Sequence, residues 1–151
     1  MMKNLIRGVV FCFVSLLALQ NTYADDHEPP FIGGEYWEVT GIKTADGGRL
    51  KYGKWLATEW KKNMEFAKSE GWITRYEVLA NIHARHNEPD LYLAVMFKNM
   101  GTVEEDEQRR KKYMEWVKKG LDSMEKESGD RAEYRTVMST VLLQEMKFRN
   151  K

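Results

Sequence analysis

The run Leu91-Tyr-Leu-Ala-Val-Met-Phe97 is apolar at every position, and it constrains the fold more than any other stretch. Side chains of a strand alternate between two faces, so a run that is apolar on both must be covered on both. It belongs in the middle of a sheet. The remaining elements have to be arranged around it.

The chain before and after this run changes its hydrophobic period several times. Tyr36-Trp-Glu-Val-Thr-Gly-Ile-Lys43 is rich in aromatic and β-branched residues and stops at the turn signal Asp46-Gly47-Gly48, which predicts a first strand from Glu35 to about Thr44. Tyr52, Leu56, Trp60, Met64 and Ala67 then recur every three to four residues, with Leu50 and Trp55 flanking the stripe, an amphipathic helix ending near Gly71. From Ile73, alternation of Tyr76, Val78, Ala80 and Ile82 with polar neighbours predicts a half-exposed second strand. Arg85 to Asp90 is a loop of hairpin size before the apolar third strand. A second helix is predicted from Val103 to Lys126, with acids in its first turns, lysines 118 and 119 toward its end, and a buried stripe of Tyr113, Val117, Leu121 and Met124. Ser128-Gly129-Asp130 should break it, and a last strand runs from about Tyr134 to Phe148.

Strand, helix, strand, strand, helix, strand is the order of an α+β protein of the ferredoxin-like βαββαβ type: a four-stranded antiparallel sheet with two helices on one face. The usual strand order, four-one-three-two, puts strands one and three in the centre, which suits the apolar third strand. Two helices cover one face only. Strand four nevertheless has Val137, Val141 and Leu143 on one side and Met138, Leu142, Met146 and Phe148 on the other. A bare sheet face of that composition calls for a cover. The simplest is a second copy packed face to face, so the sequence predicts a homodimer formed through the face opposite the helices.

The amino-terminal segment has a different purpose. Lys3 and Arg7 precede an apolar run of twelve residues, Gly8 to Leu19, and then come polar residues and Ala24, the pattern of a signal peptide over residues 1–24. Twelve residues fall short of the roughly 20 that cross a bilayer, so no transmembrane segment is expected after signal removal. The location implied is periplasmic or secreted. Removing 24 of the 151 residues leaves 127, with 22 basic against 23 acidic side chains and no cysteine, because Cys12 leaves with the signal. A thiol nucleophile and a disulfide are excluded from the mature chain, and the near-neutral balance argues against a nucleic-acid partner. Residues 25–34, with Pro29-Pro30 and Gly33-Gly34, read as a flexible entry segment to a domain over residues 35–151.

Some clusters invite a chemical reading. His83-Ala-Arg-His86 has the spacing of two metal ligands but lies in a hairpin beside Arg85 with no third ligand near, and reads as two solvated histidines. Cleavage after Ala24 would expose Asp25-Asp26-His27, whose amine, two backbone nitrogens and imidazole suit square-planar copper or nickel. Glu104-Glu-Asp-Glu-Gln-Arg-Arg-Lys-Lys112 reads as a solvated helix face laced by ion pairs. Most aromatic residues fall on helix stripes or sheet faces and serve the core. Tyr36, Glu38, Thr40, Tyr76 and Tyr92 would add polar tips to an apolar pocket beside the sheet, suited to a small apolar or aromatic ligand. Glu38, if buried, could act as a general base. No metal or cofactor is assigned.

Tyr36 to Lys43, the helical Trp55-Leu-Ala-Thr-Glu-Trp60 and Pro89-Asp-Leu-Tyr-Leu-Ala-Val-Met-Phe-Lys-Asn-Met100 together resemble exported members of the dimeric α+β-barrel superfamily, of the antibiotic-biosynthesis monooxygenase-like and stress-responsive barrel types. The resemblance covers about Glu35 to Phe148 and implies a dimer of ferredoxin-like sheets. It does not select an activity, since such folds serve many. Heme-degrading members use a helical histidine, and His27, His83 and His86 all fall outside the predicted helices. The leading expectation is an exported homodimer that binds a small apolar ligand. The alternatives are a cofactor-independent monooxygenase or isomerase, and copper or nickel binding at the mature amino terminus.

Overall fold

The computed structural model describes residues 28–149. The elements are β1 (Phe31–Thr44), α1 (Arg49–Trp55), a π-helical stretch (Leu56–Trp60), α2 (Lys61–Ser69), β2 (Arg75–Ala80), β3 (Leu91–Phe97), α3 (Val103–Val117), α4 (Leu121–Arg131) and β4 (Arg135–Phe148). All four strands join one antiparallel sheet in the order β2-β3-β1-β4, which from the β4 edge reads four-one-three-two. The apolar run of β3 is internal, as its composition requires, and Leu93, Ala94 and Met96 are buried.

Cross-strand register assigns the two faces. Tyr76 pairs with Val95, Val78 with Leu93 and Ile42 with Leu91, and all of these but the exposed Val78 pack with the first helical segment. Ile42, Tyr52, Leu56, Trp60 and Leu93 form the buried core there. The opposite face carries Trp37, Val39, Tyr92, Ala94 and Met96, continued on β4 by Val141 and Leu143. Met96 sits between Trp37 and Arg75, and the Arg75 guanidinium reaches across to within 4.9 Å of the Trp37 ring centroid, closing over it.

The first helical segment is continuous in φ and ψ, but its hydrogen bonding loosens at Leu56–Trp60. Four-residue steps along an α-helix drift by about 40° each, so Tyr52, Leu56 and Trp60 would rotate progressively away from the sheet. The wider π turn absorbs that drift, and all three stay buried. Thr58 contributes locally, because its hydroxyl donates to the Lys54 carbonyl at 2.9 Å and competes with the backbone for that acceptor.

Three boundaries differ from expectation. β1 begins at Phe31, so residues 31–34 are strand and not flexible entry. There β4 side chains crowd the backbone: a Cβ on Gly34 would lie 2.3 Å from the Glu145 carboxylate, and the two glycines admit that approach within a bulge between Gly33 and Tyr36. β2 ends at Ala80, leaving Ile82 79% exposed in the hairpin. The second predicted helix is in fact two. α3 starts in a capping box, with the Thr102 hydroxyl accepting from the Glu105 N–H and the Glu105 carboxylate from the Thr102 N–H, and it ends where Lys118 turns left-handed at φ 54°. α4 follows Gly120 and runs through Ser128-Gly129-Asp130, which therefore does not break the helix; Leu121 is exposed.

Neither α3 nor α4 has a buried residue. α3 is joined to α2 by aromatic contacts, Phe66 stacking on Trp116 at 4.2 Å and lying 6.2 Å from Tyr113, and by an ion pair between Lys112 and Glu70. α4 reaches α1 through Arg131, whose guanidinium lies 4.4 Å from the Trp55 ring centroid. At the far end of the sheet Asp90 ties the hairpin to β1. Its carboxylate accepts from the Thr44 N–H at 2.8 Å, the Thr44 hydroxyl at 2.9 Å and Lys43 Nζ at 3.0 Å.

Candidate functional site

The first helix does not cover the sheet completely. Between α1 with its π stretch and strands β2 and β3 runs an open groove of about 720 Å³, within the size range of small-molecule sites. Its floor is Tyr76, Val78 and Leu91, and its wall is Gly53, Leu56, Ala57 and Trp60. Leu50 forms the rim and is 70% exposed, an unusual position for a leucine next to an apolar trough. Arg49 and Lys61 are the only charged residues of the lining, one at each end of the helical wall. No described carboxylate forms an ion pair with either.

The groove has one polar tip on its floor. Tyr76 packs edge-on against Trp60, with ring centroids 5.3 Å apart, and its hydroxyl donates to the Glu65 carboxylate. That hydrogen bond raises the Tyr76 pKa and keeps the proton on the phenol.

Of the residues singled out from sequence, Tyr76 alone lines this groove. Tyr36, Glu38 and Thr40 share the helix-side face with it but lie on β1, toward β4. Tyr36 stacks on Phe97 at 5.8 Å, and the Thr40 and Thr140 hydroxyls are 3.2 Å apart. Glu38 is exposed beside Leu142, so it lacks the burial on which its reading as a general base rested. Tyr92 pairs with Leu79 and Gly41 and points to the other face. The five do not converge on one pocket. One residue in the sequence does point to the groove: a glycine at position 53, inside an amphipathic helix, where it costs about 1 kcal/mol relative to alanine.

A second, polar hollow of about 90 Å³ lies between the first helix and α3–α4, next to Trp55, Tyr113 and Arg131. Lys119 and Glu127 close it with a 2.7 Å ion pair, and burial raises the Tyr113 pKa. It shares Trp55, Glu59, Lys119, Glu127 and Arg131 with an adjoining hollow of about 510 Å³ that adds Lys51, Asp130, Glu133 and Tyr134. His83 and His86 are exposed in the hairpin, and the described residues contain no group of three or more side chains placed to hold a metal ion. Asp25-Asp26-His27 and the segment 1–24 read as a signal lie outside the described residues. Among those that are described, no helix is long and apolar enough to cross a membrane.

Comparison with protein-family models, with curated proteins and with solved structures returns no match. The class defined by fold and site is thus an α+β protein with a four-stranded antiparallel sheet and an apolar groove beside its first helix.

Proposed function

We propose that this is an exported ligand-binding protein of the dimeric α+β-barrel type, ferredoxin-like in each protomer, that holds a small apolar molecule in the groove beside α1. The observation that carries the reading is the groove: about 720 Å³ of space walled by leucine, alanine, tryptophan, valine and glycine, with no carboxylate among its lining residues. Leaving that surface open to water is unfavourable by roughly 25 cal/mol per Å², and a bound apolar ligand removes the cost. Support for the dimer comes from the opposite sheet face, where Trp37, Val39, Tyr92, Val141 and Leu143 form an apolar surface with Arg75 and Glu77 near its margin. An oxygenase or isomerase draws no support from the groove, where the Tyr76 hydroxyl is committed to Glu65 and Glu38 is absent from the lining.

Titration with N-phenyl-1-naphthylamine, an uncharged fluorophore that brightens in apolar surroundings, tests the reading. The wild-type protein should give a saturable, blue-shifted enhancement, and Val78→Glu, which puts a carboxylate on the groove floor, should lose it. No enhancement with the wild type sinks the proposal.

A further inference from the structure

We infer that the groove's ligand is a single-chain amphiphile with an anionic head group, lying lengthwise with its head at Arg49 and its chain running toward Trp60; this rests on the groove being a ligand site. The shape is that of a trough. Arg49 and Lys61 are twelve residues apart along the helical wall, about 18 Å at the rise of an α-helix, and the surface between them is apolar. An extended alkyl chain fits such a surface, whereas a compact ring system would leave half of it bare.

Charge sets the direction. Both charged residues of the lining are cations, so a cationic head is disfavoured at either end. The ends are not equivalent. Near Lys61 the Glu65 carboxylate lies one turn further along the same helix and holds the Tyr76 hydroxyl, which offsets the lysine's field. Arg49, by contrast, forms no ion pair with a described carboxylate, Asp46 of the preceding turn included. The Arg49 guanidinium is therefore the cation left to meet an incoming carboxylate or sulfate. Gly53, one turn on, supplies clearance. A Cβ built there meets no atom within 4 Å, so no packing within the fold requires glycine, and its missing side chain widens the trough where the first methylenes would lie.

Isothermal titration with decanoate and with 1-decanol, both below their aggregation limits and at pH 8, tests the inference. The wild type is expected to bind decanoate about tenfold more tightly than decanol, the factor one charge-assisted contact contributes. That ratio should fall to near one in Arg49→Gln and persist in Lys54→Gln, a helical cation outside the groove. Equal binding of decanoate and decanol by the wild type overturns the anionic head while leaving the apolar groove intact. Loss of the ratio in Lys61→Gln and not in Arg49→Gln overturns the orientation. Failure of decanoate, decanol and the naphthylamine alike removes the groove as a site.

Discussion

Gly53 is where stability and binding can be set against each other. The residue is helical, lines the groove, and has open space where a side chain would project. Replacing it with leucine removes the glycine penalty, about 0.8 kcal/mol after allowing for leucine's slightly lower propensity than alanine's. The new side chain also lies partly against the apolar floor, and half-burial of a leucine contributes about 1 kcal/mol. The expected gain is about 1.5–2 kcal/mol, or roughly 5–7 °C in Tm for a domain of this size. The same side chain occupies the ligand's space, and overpacking of about 1–3 kcal/mol weakens binding by about fivefold to a little over a hundredfold. Gly53→Ala separates the two effects, because it keeps most of the helix gain and fills little of the trough. Differential scanning calorimetry and naphthylamine titration on the wild type and both variants provide the assay. A destabilised Gly53→Leu would show that the space at Gly53 is not open. A stabilised Gly53→Leu with undiminished probe binding would show that the groove is not where the probe sits.

Three other expectations follow from single contacts. The Asp90 pKa is lowered, chiefly by the Thr44 N–H and further by Lys43 and the Thr44 hydroxyl, so its stabilisation is present above the ordinary carboxylate pKa and lost as pH falls through the folded value. Asp90→Asn should cost about 1–2 kcal/mol in urea denaturation at pH 7 and little at pH 2.5, and a gap independent of pH would refute this. Lys118→Gly relieves a left-handed non-glycine residue and should raise stability by about 0.5–1 kcal/mol, read as a higher midpoint in the same titration; a lower midpoint counts against it. Leu143→Lys on the bare sheet face should convert a dimeric mass to a monomeric one in light scattering at micromolar concentration, and a wild type that is already monomeric refutes the proposed interface.

How legible each part was depended on whether its signal was local. The β3 run and the Tyr52-Leu56-Trp60 stripe express burial through periodicity, and they led to the central strand and the core helix. The helix break at Lys118 was marked only by Gly120 two residues on, because lysine itself is an ordinary helix former and the surrounding structure holds it at positive φ. Gly129 misled in the opposite direction: an exposed glycine near a helix end is tolerated at about 1 kcal/mol. The start of β1 was hidden by two glycines that normally announce a loop and here make room for Gln144 and Glu145 from a strand over a hundred residues later. The groove was least legible, since it arises from what the first helix fails to cover on β2 and β3. Candidate residues chosen for their polar tips fell mostly on β1, away from it.

The placing of β4 bears on how this chain reaches its structure. β1 is hydrogen-bonded to β3 on one side and to β4, Arg135–Phe148, on the other. Thr40 meets Thr140 across 100 residues of intervening chain. Such distant partners are the slowest to find one another, since the entropy of closing the loop must be met before any pairing rewards it. During synthesis, the outer edge of β1 lacks its native neighbour until Arg135–Phe148 has emerged. Docking of β4 is thus a late step, and until it occurs β1 presents an open template to any other strand.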